Sequence, residues 1–372
     1  MPKRPAPEPT LDTLDLAAVR VRIDAIDDRL LALLAERAEV VADVAAAKQR
    51  EGTPALDPER EKALLERILE KGAGRFPKSA LLAVYREILS GSVSLQAAVT
   101  VAYLGPAGTY SHVAARTFFG YAPRYLEEPT IEGVFEAVRR GRALYGVVPI
   151  ENSTEGAVTS ALDALLEGGV SIRRELILPI QHCLLSSVES LTRIERVYSH
   201  PQALAQCRRF LAQNLPSAHV VATTSTAMAV REAAADVGGA AIASELAGEL
   251  QGLPVLRERI QDLEQNATRF VMVGKHDAKR TGDDRTALAF SFRDDEERGA
   301  LRRTLAVIED AGVNMTRIES RPSRSSAWRY VFVVDVEGHR EDAHVASALE
   351  ALRACCERVI VLGSYPRYPS PG

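Results

Sequence analysis

Residues Gln265–Gly274 read QNATRFVMVG, and the two halves of the stretch raise different questions. The first half holds Asn-x-Thr, the acceptor pattern for N-glycosylation, and two more copies occur as NST at Asn152 and NMT at Asn314. The second half is a short apolar run closed by glycine. Runs of the same kind recur along the middle of the chain: TVAYLG from 100, YGVVPI from 145, RVYSHP from 196, HVVATT from 219 and GAAIAS from 239. Each is followed by a helical pattern. Alternation of this kind predicts an α/β unit with largely parallel strands.

The glycosylation reading fails on composition. The N-terminus, MPKRPAPEPTLDTLD, has two basic residues but no apolar run behind them, so it does not read as a signal peptide. Cys183, Cys207, Cys355 and Cys356 show no spacing suited to a disulfide framework or a zinc site. A reducing, cytoplasmic location is the expectation, and the three sequons become chance matches. The chain of 372 residues is 46% hydrophobic and 26% charged, enough for two or three cores. A net charge of -4 favours neither nucleic acid nor anionic membrane, and no window reaches the ~18 apolar residues of a membrane span.

The segments after the strands are polar and small: GPAGTYSH from 105, ENSTEGA from 151, SHPQ from 199, TSTA from 224 and SE from 244. Hydroxyls and backbone N–H groups at the C-terminal ends of strands can form an anion site. Ordinary N-capping explains one such junction, since Ser and Thr favour that position. Five around one sheet edge suggest a cleft for a small polyanion. Nucleotide readings are weak: GPAGT lacks the Lys-Ser/Thr of a phosphate loop, and no G-x-G-x-x-G follows a strand. His112, His182 and His200 are read as structural or ligand-positioning residues, and neither metal nor cofactor is expected.

Before this unit, apolar residues recur at 16, 19, 23, 26, 30, 33, 40 and 44, a heptad seam on a long helix. Position 37 of the seam is Arg37, which is costly on a buried face unless an anion meets it. Lys48, eleven residues on, points within about 20° of Arg37 across about 16 Å of helix axis. Both could lean onto one small anion. Arg20 lies about 25 Å from Arg37 on another face, so it cannot serve that pocket from its own chain; if it contributes to catalysis it must serve a partner's pocket, which predicts an intertwined dimer. A second helix starts at LDPEREKALLERIL, with Asp57 as N-cap and Pro58 at its first position, and places Arg60 and Glu61 in its first turn. A third runs from about Lys78 to Ala97, with Ser92 and Gln96 on one face. After residue 278, TALAFSFR, GALRRTLAVIEDAG, MTRIESRP, WRYVFVVDVEG, DAHVASALEALRAC and RVIVLGSYP give the order βαββαβ of a ferredoxin-like α+β unit.

These residues resemble known families over nearly the whole chain. Residues 16–97 resemble the all-helical chorismate mutases of bacterial type, whose pocket positions match Arg20, Arg37, Lys48, Asp57, Arg60, Glu61, Ser92 and Gln96. The resemblance implies a pericyclic rearrangement. Arg37, Arg60 and a partner's Arg20 clamp two carboxylates, Lys48 and Gln96 donate to the ether oxygen, and Glu61 holds the substrate hydroxyl. Residues 99–275 resemble prephenate dehydratase through GPAGTYSH, VVPIENSTEGAV, YSHPQALAQC, TSTAMA and NATRFVMVG. That family implies two α/β lobes similar to periplasmic binding proteins. Thr268 assists departure of the ring hydroxyl, the cleft is lined by Glu151, Asn152, Ser153, Ser199, Gln202, Thr223 and Ser225, Arg269 binds substrate, and Phe270 packs beside the ring. The last unit resembles the ACT regulatory domain, whose phenylalanine site matches Gly299, Ala300, Leu301, Glu319, Ser320, Arg321 and Pro322.

The expected organisation is a lead over 1–13, a helical mutase unit over 14–97, a two-lobed α/β dehydratase unit over 99–278, an ACT unit over 284–366 and a tail over 367–372. The implied protein converts chorismate through prephenate to phenylpyruvate, takes phenylalanine as effector and is a homodimer or larger homo-oligomer. Three alternatives stay open on sequence: an arogenate-preferring dehydratase, a helical unit that only dimerises, and a lobed unit that is a non-catalytic sensor of small anions.

Overall fold

The computed structural model describes residues 15–51, 58–292, 298–322 and 329–368, so the expected lead and the capping Asp57 lie outside the described residues. Three helices come first: α1 (Leu16–Glu51), α2 (Pro58–Lys71) and α3 (Lys78–Gln96). Nothing in α1 interrupts a helix, since its 36 residues contain neither glycine nor proline, and the Asp15 carboxylate accepts the Ala17 N–H at its start. Helices α1 and α2 both pack on α3. Along α1 only Val41 is buried, while Leu16, Ile23, Ile26, Leu30, Leu33, Val40 and Val44 of the seam stay exposed.

The next unit has two lobes. The first lobe contains β1 (Thr100–Leu104), α4 (Tyr110–Phe119), β2 (Arg124–Glu128), α5 (Ile131–Arg139), β3 (Tyr145–Asn152), the short β4 (Gly156–Ala157), α6 (Thr159–Leu166) and β5 (Ser171–Pro179). The chain then builds the second lobe from β6 (Cys183–Ser186), β7 (Arg196–Ser199), α7 (Pro201–Gln206), α8 (Arg208–Asn214), β8 (His219–Ala222), α9 (Thr226–Ala234), β9 (Gly239–Ala243), α10 (Glu245–Gln251) and β10 (Val255–Arg257). It returns to the first lobe as β11 (Ala267–Gly274), giving sheet orders β2-β1-β3-β11-β5 and β10-β6-β9-β7-β8. Strands β1, β2 and β3 are parallel, as are β7, β8 and β9. The returning β11 enters from the opposite end and is antiparallel to β3 and β5. The QNATRFVMVG stretch therefore forms the strand that ties the lobes together. Its start lies at the C-terminal edge of β3, opposite Asn152.

The final unit is β12 (Asp284–Ser291), α11 (Ala300–Asp310), β13 (Met315–Pro322), β14 (Tyr330–Glu337), α12 (Ala343–Cys355) and β15 (Arg358–Pro366), with sheet order β13-β14-β12-β15. It shares a core with the first lobe: Ala287, Ala289, Val333, Leu362 and Tyr365 pack with Val271, Val273 and Ile172. The backbones of β15 and β5 approach so closely that a Cβ on Gly363 would fall 2.3 Å from the Ile172 carbonyl oxygen. Only glycine fits there.

Candidate active sites

In the helical unit, Arg37, Lys48, Arg60, Glu61, Ser92 and Gln96 surround one cavity of about 530 Å³, walled by Leu33, Leu34, Val40, Val44, Leu64, Ile88 and Leu89. Arg37 donates to the Ser92 hydroxyl, which itself donates to the Ile88 carbonyl at 2.5 Å. The seam arginine is thereby aimed at α3, where its cost is offset by a hydrogen bond. Gln96 Nε2 donates to the Ser92 carbonyl (3.1 Å), and its Oε1 is buried with no hydrogen-bond partner among the described residues. The Glu61 carboxylate is met by Arg174 from β5, at 3.0 Å. Arg20 is exposed near the far end of α1, away from this cavity.

In the lobed unit, Thr268, the second residue of β11, lies beside Asn152 at the end of β3. Asn152 Nδ2 donates to Thr268 Oγ1 (2.8 Å) and to Asn266 Oδ1 (3.1 Å). The orientation of that amide is set by its other end, because Asn152 Oδ1 accepts the Thr154 N–H (3.0 Å) and hydroxyl (2.6 Å) and the Glu155 N–H (3.3 Å). Accepting from Asn152 uses one of the two lone pairs of the Thr268 hydroxyl and leaves its proton available to donate. A cavity of about 500 Å³ lies alongside, lined by Thr154, Glu155, Gln202, Gln206, Arg209, Asp262 and Asn266.

Behind the cavity the polar chain continues. Asn266 Nδ2 donates to Gln206 Oε1 (3.1 Å), which also receives His182 Nε2–H (2.8 Å), and the Tyr110 hydroxyl stands 3.0 Å from His182 Nδ1. Burial holds the His182 imidazole below its ordinary pKa, although the Gln206 hydrogen bond pulls the other way. Burial, helped by the nearby Cys183 and Cys207, pushes the Tyr110 phenol well above its usual range. Both are therefore neutral hydrogen-bonding groups near pH 7. The two lobes also meet where the buried Ser244 Oγ donates to the Gly108 carbonyl (2.7 Å).

Several expected cleft residues face elsewhere. Phe270 is fully buried in the core with Phe118, Phe119, Tyr145 and Leu176, so it does not lie beside a substrate ring. Arg269 and Glu151 fall on the opposite sheet face from Thr268 and Asn152 because side chains alternate along β11 and β3. There Arg269 meets Asp335 (2.6 Å), Glu175 (2.8 Å) and the Tyr365 hydroxyl (2.9 Å), while Glu151 meets Arg317 (3.0 Å) of the final unit. Burial would lower the Arg269 pKa, but Tyr365, Asp335 and Glu175 more than reverse that, so it stays charged. Ser199 is wholly buried and donates to the Ile242 carbonyl. The Thr223 hydroxyl donates to the Ser225 carbonyl, and Ser225 caps α9. Thr109 and Ser244 likewise cap α4 and α10. The plain capping explanation thus accounts for most of those junctions. Ser153 Oγ accepts the Ala267 N–H (3.0 Å) at the edge of the site, and Gln202 alone of the second-lobe candidates lines the cavity.

In the final unit Gly299 begins α11 in the left-handed region (φ 78°), and Ala300 and Leu301 pack toward the core. Glu319, Ser320, Arg321 and Pro322 lie on the edge strand β13, from which Arg321 reaches Asp163 of α6 at 3.1 Å.

Comparison with known proteins matches this division. Residues 19–97 match chorismate mutase type II, 101–278 match prephenate dehydratase and 294–354 match the ACT domain. A bifunctional chorismate mutase/prephenate dehydratase of Aquifex aeolicus is 45% identical over 357 residues, covering 95% of this chain and 98% of the relative. Its counterpart in Pseudomonas aeruginosa is 40% identical, with 96% and 99% covered. The chain belongs to the bifunctional chorismate mutase/prephenate dehydratase family. It carries both activities, rearranging chorismate to prephenate and dehydrating prephenate to phenylpyruvate. Among solved structures, prephenate dehydratase from Arthrobacter aurescens in complex with L-Phe aligns with a TM-score of 0.67 and 37% identity, over 72% of this chain and 90% of that one. GqqA, described as a novel type of quorum quenching acylase, aligns with a TM-score of 0.66 and 33% identity, over 73% and 98%. Membership removes the sensor and dimeriser readings of the two units.

Among the residues around the cavity of the lobed unit, Asn266, Gln206, Thr154 and Arg209 were not singled out from sequence. A signal existed for two of them. Asn266 stands two residues before Thr268 in the same stretch, and Gln206 lies four residues after Gln202, on the same face of α7.

Proposed function

We propose that the cavity between α1, α2 and α3 is the mutase site, and that Thr268, held by Asn152, is the proton-bearing group of the dehydratase site. The mutase reading is carried by the meeting of Arg37, Lys48, Arg60, Glu61, Ser92 and Gln96 around one cavity of the helical unit. Cations there fix two substrate carboxylates in a chair-like conformer, and Lys48 offsets charge growing on the ether oxygen. Arg37→Ala or Lys48→Ala should abolish mutase turnover of chorismate while prephenate turnover continues. Loss of both activities together would count against separate sites.

For the dehydratase, Thr268 donates to the departing ring hydroxyl as the C–CO₂ bond breaks and the ring becomes aromatic. Carbon dioxide and hydroxide leave, the hydroxide takes a proton from solvent to become water, and phenylpyruvate remains. A threonine is a poor acid by pKa, so its part is to stabilise the leaving hydroxyl by a preorganised hydrogen bond in a cleft that closure dries.

The exposed seam of α1 supports a homodimer in which Arg20 of one chain completes the other's mutase pocket. Mixing an Arg20→Ala chain with an Arg37→Ala chain should restore mutase activity, because each mixed dimer then holds one intact pocket; no recovery would sink the shared-pocket reading. The ACT unit takes phenylalanine at Gly299–Leu301 and Glu319–Pro322, supported by the ligand of the Arthrobacter relative. Four free thiols, with the Cys355 and Cys356 sulfurs 3.8 Å apart and no disulfide between them, support a cytoplasmic enzyme.

A further inference from the structure

The mutase unit is joined to the dehydratase by more than the short connection after Gln96. One side of α3 carries Ser92 and Gln96 to the mutase pocket, and another side is pinned to the end of α4. Ser90 Oγ donates to the Phe119 carbonyl (2.5 Å) and accepts the Ala122 N–H (3.2 Å), and the Glu87 carboxylate accepts the Tyr121 N–H (3.0 Å). The fit is close. Gly120 has φ 71°, and a Cβ there would fall 2.6 Å from the Ser90 Cβ.

From this interface one side chain reaches the pocket wall. Arg174 on β5 donates to Glu61 Oε2 at 3.0 Å, with its guanidinium carbon 5.9 Å from the centre of the Phe118 ring. Alternation along β5 sends Arg174 and Leu176 toward α4 and Glu175 toward the ACT unit, so the arginine is borne by a well-paired part of the fold. The two side chains are 25% and 16% exposed, which shields the pair from solvent.

We infer that Arg174, a residue of the dehydratase domain, is a positioning residue of the mutase. The inference rests on the reading of Glu61 as part of the mutase site. The pocket's cations, Arg37, Lys48 and Arg60, line one cavity with Glu61, and the charge that would draw a substrate carboxylate also draws that of Glu61. A glutamate with free rotamers would swing inward and compete for them. Arg174 holds Glu61 at the wall, with one carboxylate oxygen engaged and the other left to accept the substrate hydroxyl. The consequence is a dependence of one active site on the neighbouring domain, acting on substrate binding more than on the chemical step.

The test is steady-state mutase kinetics on the full chain with chorismate, for Arg174→Ala, Arg174→Lys, Glu61→Ala and the double variant Glu61→Ala/Arg174→Ala. Loss of a charge-assisted contact of this kind predicts a rise of about tenfold in the KM of Arg174→Ala with a smaller change in kcat. Arg174→Lys should keep most of the wild-type KM, and dehydratase turnover of prephenate should be unchanged in both. In the Glu61→Ala background Arg174→Ala should add nothing, because the two residues act through one contact, whereas a general packing role would add in full. Mutase parameters within twofold of wild type for Arg174→Ala, or additive effects in the double variant, would overturn the inference. If Glu61→Ala itself leaves the mutase intact, the site assignment fails first and the role of Arg174 falls with it. Should Arg174→Ala depress dehydratase turnover too, the comparison is repeated with Arg174→Gln, which keeps most of the side chain and removes its charge: a raised mutase KM that disappears in the Glu61→Ala background upholds the inference, and a KM within twofold of wild type overturns it.

Discussion

Arg269→Met isolates one buried charge. In the intact chain the Arg269 guanidinium joins Glu175 and Asp335 across the dehydratase–ACT interface, and the three side chains are 10%, 1% and 4% exposed. Removing the arginine does not strand Glu175, which keeps Arg285 at 2.7 Å. It does strand Asp335, whose carboxylate meets no other cation among the described residues. Breaking a buried pair by deleting one partner costs roughly 3–5 kcal/mol, because the remaining charge stays desolvated and uncompensated. At about 2–4 °C per kcal/mol for a unit of this size, the transition containing the dehydratase and ACT units should fall by roughly 6–20 °C. Scanning calorimetry of the full chain reads this directly. Arg269→Met/Asp335→Leu should then recover most of the loss, since an apolar pair of similar volume often matches a buried ion pair. A loss under about 1 kcal/mol in the single variant, or a double variant no better than the single, would refute the claim that Asp335 depends on Arg269.

Thr268→Val should lower dehydratase kcat by roughly 10²–10³ while prephenate still binds, as expected for a donor used mainly in the transition state; calorimetric titration beside turnover separates the two. Ser320 and Arg321 variants should weaken inhibition by phenylalanine and leave the uninhibited rate intact, measured as turnover against effector concentration. His112 provides a pH signature. Burial and the neighbouring Arg116 hold its pKa down to about 4 from the ordinary 6.5, so between those values the unfolded chain takes up a proton that the fold refuses. Stability is complete above pH 6.5 and falls as pH drops toward about 4. His112→Gln should flatten that slope in urea unfolding measured across the window.

How far the sequence reached depends on what kind of physics each feature obeys. Local periodicity was enough for the three helices, the α/β alternation and the βαββαβ order, because apolar spacing is set residue by residue along one element. The spacing of Arg37, Lys48, Ser92 and Gln96 likewise placed them on faces that could meet, since a regular helix converts sequence distance into direction. The role proposed for Thr268 comes from the motif around it.

Facing is where sequence alone stopped. Whether Glu151 or Asn152, Arg269 or Thr268, turns toward the cleft depends on which side of the central sheet another domain covers. Only the docking of the ACT unit decides that Glu151 and Arg269 belong to an ionic interface. Hydroxyls at strand ends look alike in sequence whether they cap a helix or line a site, and their hydrogen-bond partners, brought together by the fold, distinguish Ser199 and Ser225 from Asn152 and Asn266. The contact between Glu61 and Arg174 joins residues more than a hundred positions apart in two different units. No periodicity carries such a pairing, because it depends on how α3 seats against α4 and not on any pattern along either segment.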